Sequence, residues 1–158
     1  MCEKHQKFMH EAIQLSADNI TKETGGPFGA VVVKDGKIVG RGANAVTTDN
    51  DPTAHAEVMA IRDACKNLND FSLEGCVIYS SCEPCPMCLS AIYWARLDRV
   101  YYANTQDDAA SIDFDDRFLY DELAMPMEKR QMKCEQMMRD KAFEVFETWR
   151  HKQDKIHY

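Results

Sequence analysis

Apolar side chains recur along residues 3–22 at Phe8, Ala12, Leu15 and Ile20, with Met9, Ile13 and Ala17 beside them. This spacing keeps one broad stripe on one side of a helix. "TGGPFGA" interrupts it, and the period then shortens. "FGAVVVK" and "KIVGRGAN" are β-rich runs joined at Asp35-Gly36, a pair suited to a tight hairpin turn. "TTDNDPT" is a polar loop. Residues 53–68 return to helical spacing, with Ala54, Val58, Ile61 and Cys65 on one side. "GCVIYSS" predicts a strand over 76–81, "PMCLSAIYWARL" a helix, and "RVYYAN" another strand.

Beyond Asn104 the chain turns acidic, with a short helix expected near 117–124. "QMKCEQMM" reads as a fifth strand. A helix from Arg139 to about Lys155 aligns Ala142, Val145, Phe146 and Trp149. Without repeats, low-complexity tracts or linkers, residues 1–158 read as one domain. Strands alternating with helices predict an α/β layered domain, with helices flanking a central mixed sheet of five strands. The first pair should be antiparallel, because its connection is tight. The 76–81 and 99–103 strands should be parallel, because a whole helix joins them.

Charge narrows the choice of partners. Nineteen Lys and Arg stand against 26 Asp and Glu, a net charge of −7. Phosphate backbones are bound largely through Lys and Arg, so nucleic acid is not the expected partner. No stretch is apolar enough to predict a membrane span. The opening "MCEKHQKFMHEAIQ" mixes charges into its apolar positions, unlike a secretory signal. The expectation is therefore a reducing compartment, the cytoplasm, where cysteines serve as ligands, nucleophiles or buried apolar groups.

Three of the seven cysteines fall in "SSCEPCPMC", at Cys82, Cys85 and Cys88. Upstream, "DPTAHAEVMAIR" carries His55 and Glu57. H-x-E followed by P-C-x-x-C is the zinc-deaminase signature. Cys85 can stand at a helix N-cap with Pro86 at the first helical position, which puts Cys88 on the same face. Helix N-termini favour thiolates there. His55, Cys85 and Cys88 as ligands leave one tetrahedral position open, as catalytic zinc requires. Glu57, two residues from His55, points elsewhere around its helix and suits proton transfer. The alternative is a closed site of Cys82, Cys85, Cys88 and His55 without catalysis, in a zinc-stabilised interaction domain. It leaves Glu57 and Pro84 without a role.

"GGPFGAVVVKDGKIVGRGAN", "NDPTAHAEVMAIRDACK", "SCEPCPMCLSAIYWAR" and "FDDRFLY" together resemble the cytidine/deoxycytidylate deaminase superfamily, and within it the bacterial guanine deaminases. The resemblance spans nearly the whole chain. It implies a three-layer cytidine-deaminase-like fold and hydrolysis of guanine to xanthine and ammonia, with one zinc ion per chain. It also implies a homodimer that exchanges a C-terminal segment of about 131–158. By the same resemblance Glu57 carries protons, Asn44 holds the purine, Phe28 lines its pocket and Asp116 recognises or protonates it. Trp94 walls the site or fills the core, and Tyr158 covers the pocket. From the residues alone, Asn44 is more commonly a turn residue at a strand end, Phe28 simply a core residue and Asp116 part of a solvated acidic loop. Alternative substrates are guanosine and, less well suited to the charge, adenosine in tRNA.

Overall fold

The computed structural model describes residues 3–157. These fall into two compact units, one ending at Arg117 and the other beginning at Phe118. No described helix is long and apolar enough to cross a membrane.

The first unit is built on a four-stranded mixed sheet: β1 (Gly29–Lys34), β2 (Lys37–Ala43), β3 (Cys76–Cys82) and β4 (Arg99–Asn104), in the order β2-β1-β3-β4. β1 runs antiparallel to both neighbours, and β3 and β4 are parallel. The β1–β2 hairpin closes through Asp35 and Gly36, both at positive φ, as a two-residue turn of the primed kind demands. β1 is central and buried from Gly29 to Val33, which explains its unbroken apolar run. Its side chains alternate between two cores. Val31 and Val33 pack with Tyr79 against Phe8 and Ala12 of α1 (Glu3–Thr21). Ala30 and Val32 pack with Ile78 against the helices of the other face. The result is three layers, with the sheet in the middle.

Those other helices are α3 (Ala56–Leu68) and α4 (Pro86–Trp94). A short α2 (Val46–Asp49), inside the expected polar loop, precedes α3, and α5 (Gln106–Ala110) follows β4. The deepest face of α3 is not the larger-residue stripe read from the sequence but Ala56, Ala60 and Ala64. The cause is the closeness of β2. A Cβ on Gly42 would lie 2.1 Å from the Ala56 carbonyl oxygen and 2.3 Å from the Ala60 nitrogen. Small residues on both sides let the two backbones touch, and this fixes where α3 begins.

The second unit holds most of α6 (Arg117–Ala124), a 3-10 turn at Met127–Lys129 and α7 (Arg139–His151). None of its described residues is buried. On α7, Phe143 and Phe146 meet edge to face with centroids 6.4 Å apart, and the Arg139 guanidinium lies 5.0 Å over the Phe143 ring. The fifth strand expected at residues 131–138 does not form. The sheet of the described residues has four strands, and this segment pairs with none of them. It lacks any β-branched or aromatic residue, its alternation breaks at Gln136, and Met138 sits at positive φ.

Gly42→Ala should push α3 off β2. Overpacking of this kind costs about 1–3 kcal/mol, to be read from the urea midpoint. An unchanged midpoint would show that α3 is free to shift.

Candidate active site

The first unit brings two helix starts together. His55 is the N-cap of α3 and Cys85 the N-cap of α4, with Pro86 at the first helical position, and neither side chain caps its own helix. Both therefore turn outward to a shared point. His55 Nδ1 lies 3.6 Å from Cys85 Sγ and 3.5 Å from Cys88 Sγ. All three ligand atoms lie within 4.8 Å of one another. Two sulfurs and one imidazole nitrogen around tetrahedral zinc, with bonds of about 2.3 and 2.0 Å, would be about 3.5–3.8 Å apart. The donor set and its spacing fit that ion.

Cys82 stands outside the group. It is buried at the end of β3, with its thiol donating to the Thr105 carbonyl oxygen at 3.6 Å. Burial pushes that thiol up to about 11, so it keeps its proton. Cys85 goes the other way, down to about 4. It accepts a hydrogen bond from Cys88 and faces His55, which outweighs its burial. Cys88 is raised by the same hydrogen bond and by burial. His55 is raised chiefly by its bond with Cys85. The closed four-ligand alternative thus lacks its fourth ligand.

Glu57 occupies the first turn of α3 and is buried beside the cluster rather than in it. Desolvation raises its pKa, and hydrogen bonds from its own backbone N–H, from Cys88 and, at 3.2 Å, from Ser80 Oγ partly oppose the shift. Sequence reasoning missed Ser80. A signal existed: Ser80 shares its strand face with the core residue Ile78, and a polar residue in an inward position calls for a partner.

Asn44, at the end of β2, is buried. Its Oδ1 accepts the Gly26 N–H at 3.3 Å and the Val46 N–H at 3.4 Å, which turns Nδ2 the other way. Its backbone N–H donates to the Phe28 carbonyl, and the adjoining Ala45 N–H donates to Ala54, next to His55. Backbone bonds thus tie Asn44 to both Phe28 and the metal-ligand turn. Phe28 is half-buried and meets Phe114 edge-on, with centroids 4.9 Å apart. Asp116 is half-buried and accepts from Gln106 Nε2 at 2.9 Å through Oδ1, while the Gln106 backbone N–H donates to Glu83 Oε2 at 3.1 Å. Its negative charge reaches both His55 and Cys82. The structure does not bring Trp94 to this group. It stands at the opposite end of α4 from Cys85, 70% exposed in a shallow depression with Ser90, Tyr93 and Arg96, and it does not fill the core. Tyr158 lies outside the described residues.

Comparison with known proteins agrees with this geometry. Residues 2–104 match the family described as the cytidine and deoxycytidylate deaminase zinc-binding region. The chain is 49% identical over 154 residues to the guanine deaminase of Bacillus subtilis (strain 168), covering 98% of this chain and 99% of that one. The X-ray structure of that guanine deaminase superposes with a TM-score of 0.94 over 98% of each chain. Guanine deaminase from Nitrosomonas europaea is 31% identical, with a TM-score of 0.66 over 69% of this chain and 63% of that one. A tRNA-specific adenosine deaminase of Aquifex aeolicus is 46% identical over 77 residues, 49% of this chain and 51% of that one. The match across residues 2–104 and the near full-length likeness make this chain a member of the cytidine and deoxycytidylate deaminase family.

Proposed function

We propose that this chain is a zinc-dependent guanine deaminase that hydrolyses guanine to xanthine and ammonia. The observation that carries the substrate is the reach of the likeness. It covers 98% of the chain against a guanine deaminase, and so extends past residue 104 through the "FDD" segment. The tRNA deaminases match less of it or at lower identity: 49% of the chain for the Aquifex aeolicus enzyme, and 76% at 36% identity for that of Streptococcus pyogenes serotype M1.

His55, Cys85 and Cys88 would hold one zinc ion per chain. Zinc in such a site supplies the Lewis acidity that makes water a nucleophile near neutral pH. Glu57 takes the proton that water gives up on adding to C2 of guanine and delivers it to N3. Its burial raises the carboxyl pKa above that of a solvated glutamate, which favours holding and then releasing a proton. Asn44 offers Nδ2 to the base edge, because both bonds to its Oδ1 come from the backbone. Phe28 presents a ring to the face of the base. Gln106 holds one oxygen of Asp116, leaving the other to meet the purine or to carry the proton of the adduct's C2 hydroxyl to the departing nitrogen.

The reading extends to a homodimer that exchanges residues 131–158, with Tyr158 over the partner's pocket. The exposed Phe146 and Trp149 on α7 support it, since such an apolar face calls for a cover. It also extends to the cytoplasm, where cysteine ligands stay reduced.

An ammonia-release panel of guanine, guanosine, cytosine, adenine and a tRNA hairpin tests the substrate. Guanine should lead guanosine by at least about tenfold, the discrimination a few contacts can supply. Equal or faster release from guanosine would move the assignment to the nucleoside.

Glu57→Gln should keep the fold and the metal but lower turnover by about 10²–10⁴-fold, the usual worth of a positioned proton carrier. Near wild-type release would remove Glu57 from the mechanism.

Cys85→Ser and Cys88→Ser should each lose zinc and activity, while Cys82→Ser keeps both, as elemental analysis of the purified variants would read. Loss of metal from the Cys82 variant would restore the closed four-ligand site and undercut the enzyme reading.

A further inference from the structure

α1 covers the sheet face away from the metal ligands, yet its last turns reach the base-binding side. The buried stripe of Phe8 and Ala12 ends not on an apolar residue but on Asn19, which is 5% exposed. A buried carboxamide has two donor hydrogens and one acceptor oxygen to satisfy. Here all are used. Nδ2 donates to the Gly26 carbonyl and to the Asn44 carbonyl, each at 2.8 Å. The Thr24 hydroxyl donates to Oδ1 at 2.6 Å, which fixes the way the amide faces. Gly26 closes a ring by donating its own N–H to Asn44 Oδ1. The loop is pressed against this ring, since a Cβ on Gly25 would lie 2.1 Å from the Asn44 carbonyl oxygen.

We propose that Asn19 is a positioning residue for the base-binding site, its carboxamide clamping residues 24–26 and the Asn44 backbone so that Asn44 Nδ2 stays turned to the purine. The inference rests on the base-binding role given to Asn44 above. Asn44 Oδ1 is held by Gly26, and Gly26 is held by Asn19. Without Asn19 the Gly26 and Asn44 carbonyls lose their donor, and the Asn44 side chain gains other arrangements. Each binding event must then select the competent one, which weakens binding in proportion to its population. None of the Asn19 side-chain hydrogen bonds reaches a metal ligand or Glu57, so the main effect falls on binding rather than on the chemical step.

The test uses the full zinc-loaded chain and three variants: Asn19→Ala, Asn44→Ala and the double. Asn19→Ala should raise KM for guanine by about tenfold, with kcat within about threefold and zinc content unchanged. Residues that act through one another are not additive, so the double variant should show about the KM of Asn44→Ala alone. Two KM effects that multiply would make Asn19 an independent structural residue and overturn the proposal. A raised KM in Asn44→Ala with none in Asn19→Ala removes this inference and leaves the base-binding reading standing. An unchanged KM in Asn44→Ala overturns both. Should Asn19→Ala not fold, Thr24→Val decides, because Thr24 is exposed and orients the amide. It should raise KM by about threefold while the variant stays folded, from loss of one hydrogen bond. An unchanged KM there overturns the clamp.

Discussion

The backbone of α3 rests directly on β2 at Gly40 and Gly42, where nothing larger than a methyl group comes between them, and the site depends on that contact. Ala56, Ala60 and Ala64 face Gly40 and Gly42 closely enough that a Cβ on either glycine would collide with the helix. A helix held this tightly has little freedom to slide. Its first residue is thereby set, and with it the N-cap His55 and the first-turn Glu57. On the same sheet face, β3 runs into Cys85 and starts α4. The meeting of two helix starts is thus a consequence of how close one helix may come to one strand.

Environment then gives chemically identical residues opposite states. Cys82 and Cys85 are three positions apart. Cys82 ends a buried strand, and burial together with the nearby Glu57 carboxylate favours its neutral thiol. Cys85 caps a helix beside a histidine and a second thiol, and is pulled toward thiolate. Glu57 shows the same control with the other sign, as burial works against its charge while hydrogen bonds from its own backbone, Cys88 and Ser80 work for it. The ligand atoms that the fold brings together are those of His55, Cys85 and Cys88, and Cys82 is not among them.

The two units are built on different terms. The first has apolar cores on both faces of its sheet. The second has no buried described residue and leaves Met132, Met137, Phe146 and Trp149 open. Helical periodicity alone cannot separate these cases, because an amphipathic helix has the same pattern whatever covers its apolar face.

The sequence by itself determined the order of strands and helices up to Asn104 apart from the short α2, the antiparallel β1–β2 and parallel β3–β4 pairings, and the His55, Cys85 and Cys88 cluster. Each of these is local or spaced by a motif: a turn at Asp35-Gly36, a helix bridging two strands, and cysteines three residues apart in the first turn of a helix. Only the tertiary structure decided what depends on residues far apart in the chain. Asn19 and Asn44 are 25 positions apart, Glu57 and Ser80 are 23, and no periodicity links them. The fifth strand failed for the same reason, since a strand exists only where another edge accepts its hydrogen bonds. The alanine face of α3 was misread because hydrophobic patterning favours large side chains. The distance between α3 and β2, which only the packed fold sets, required small ones.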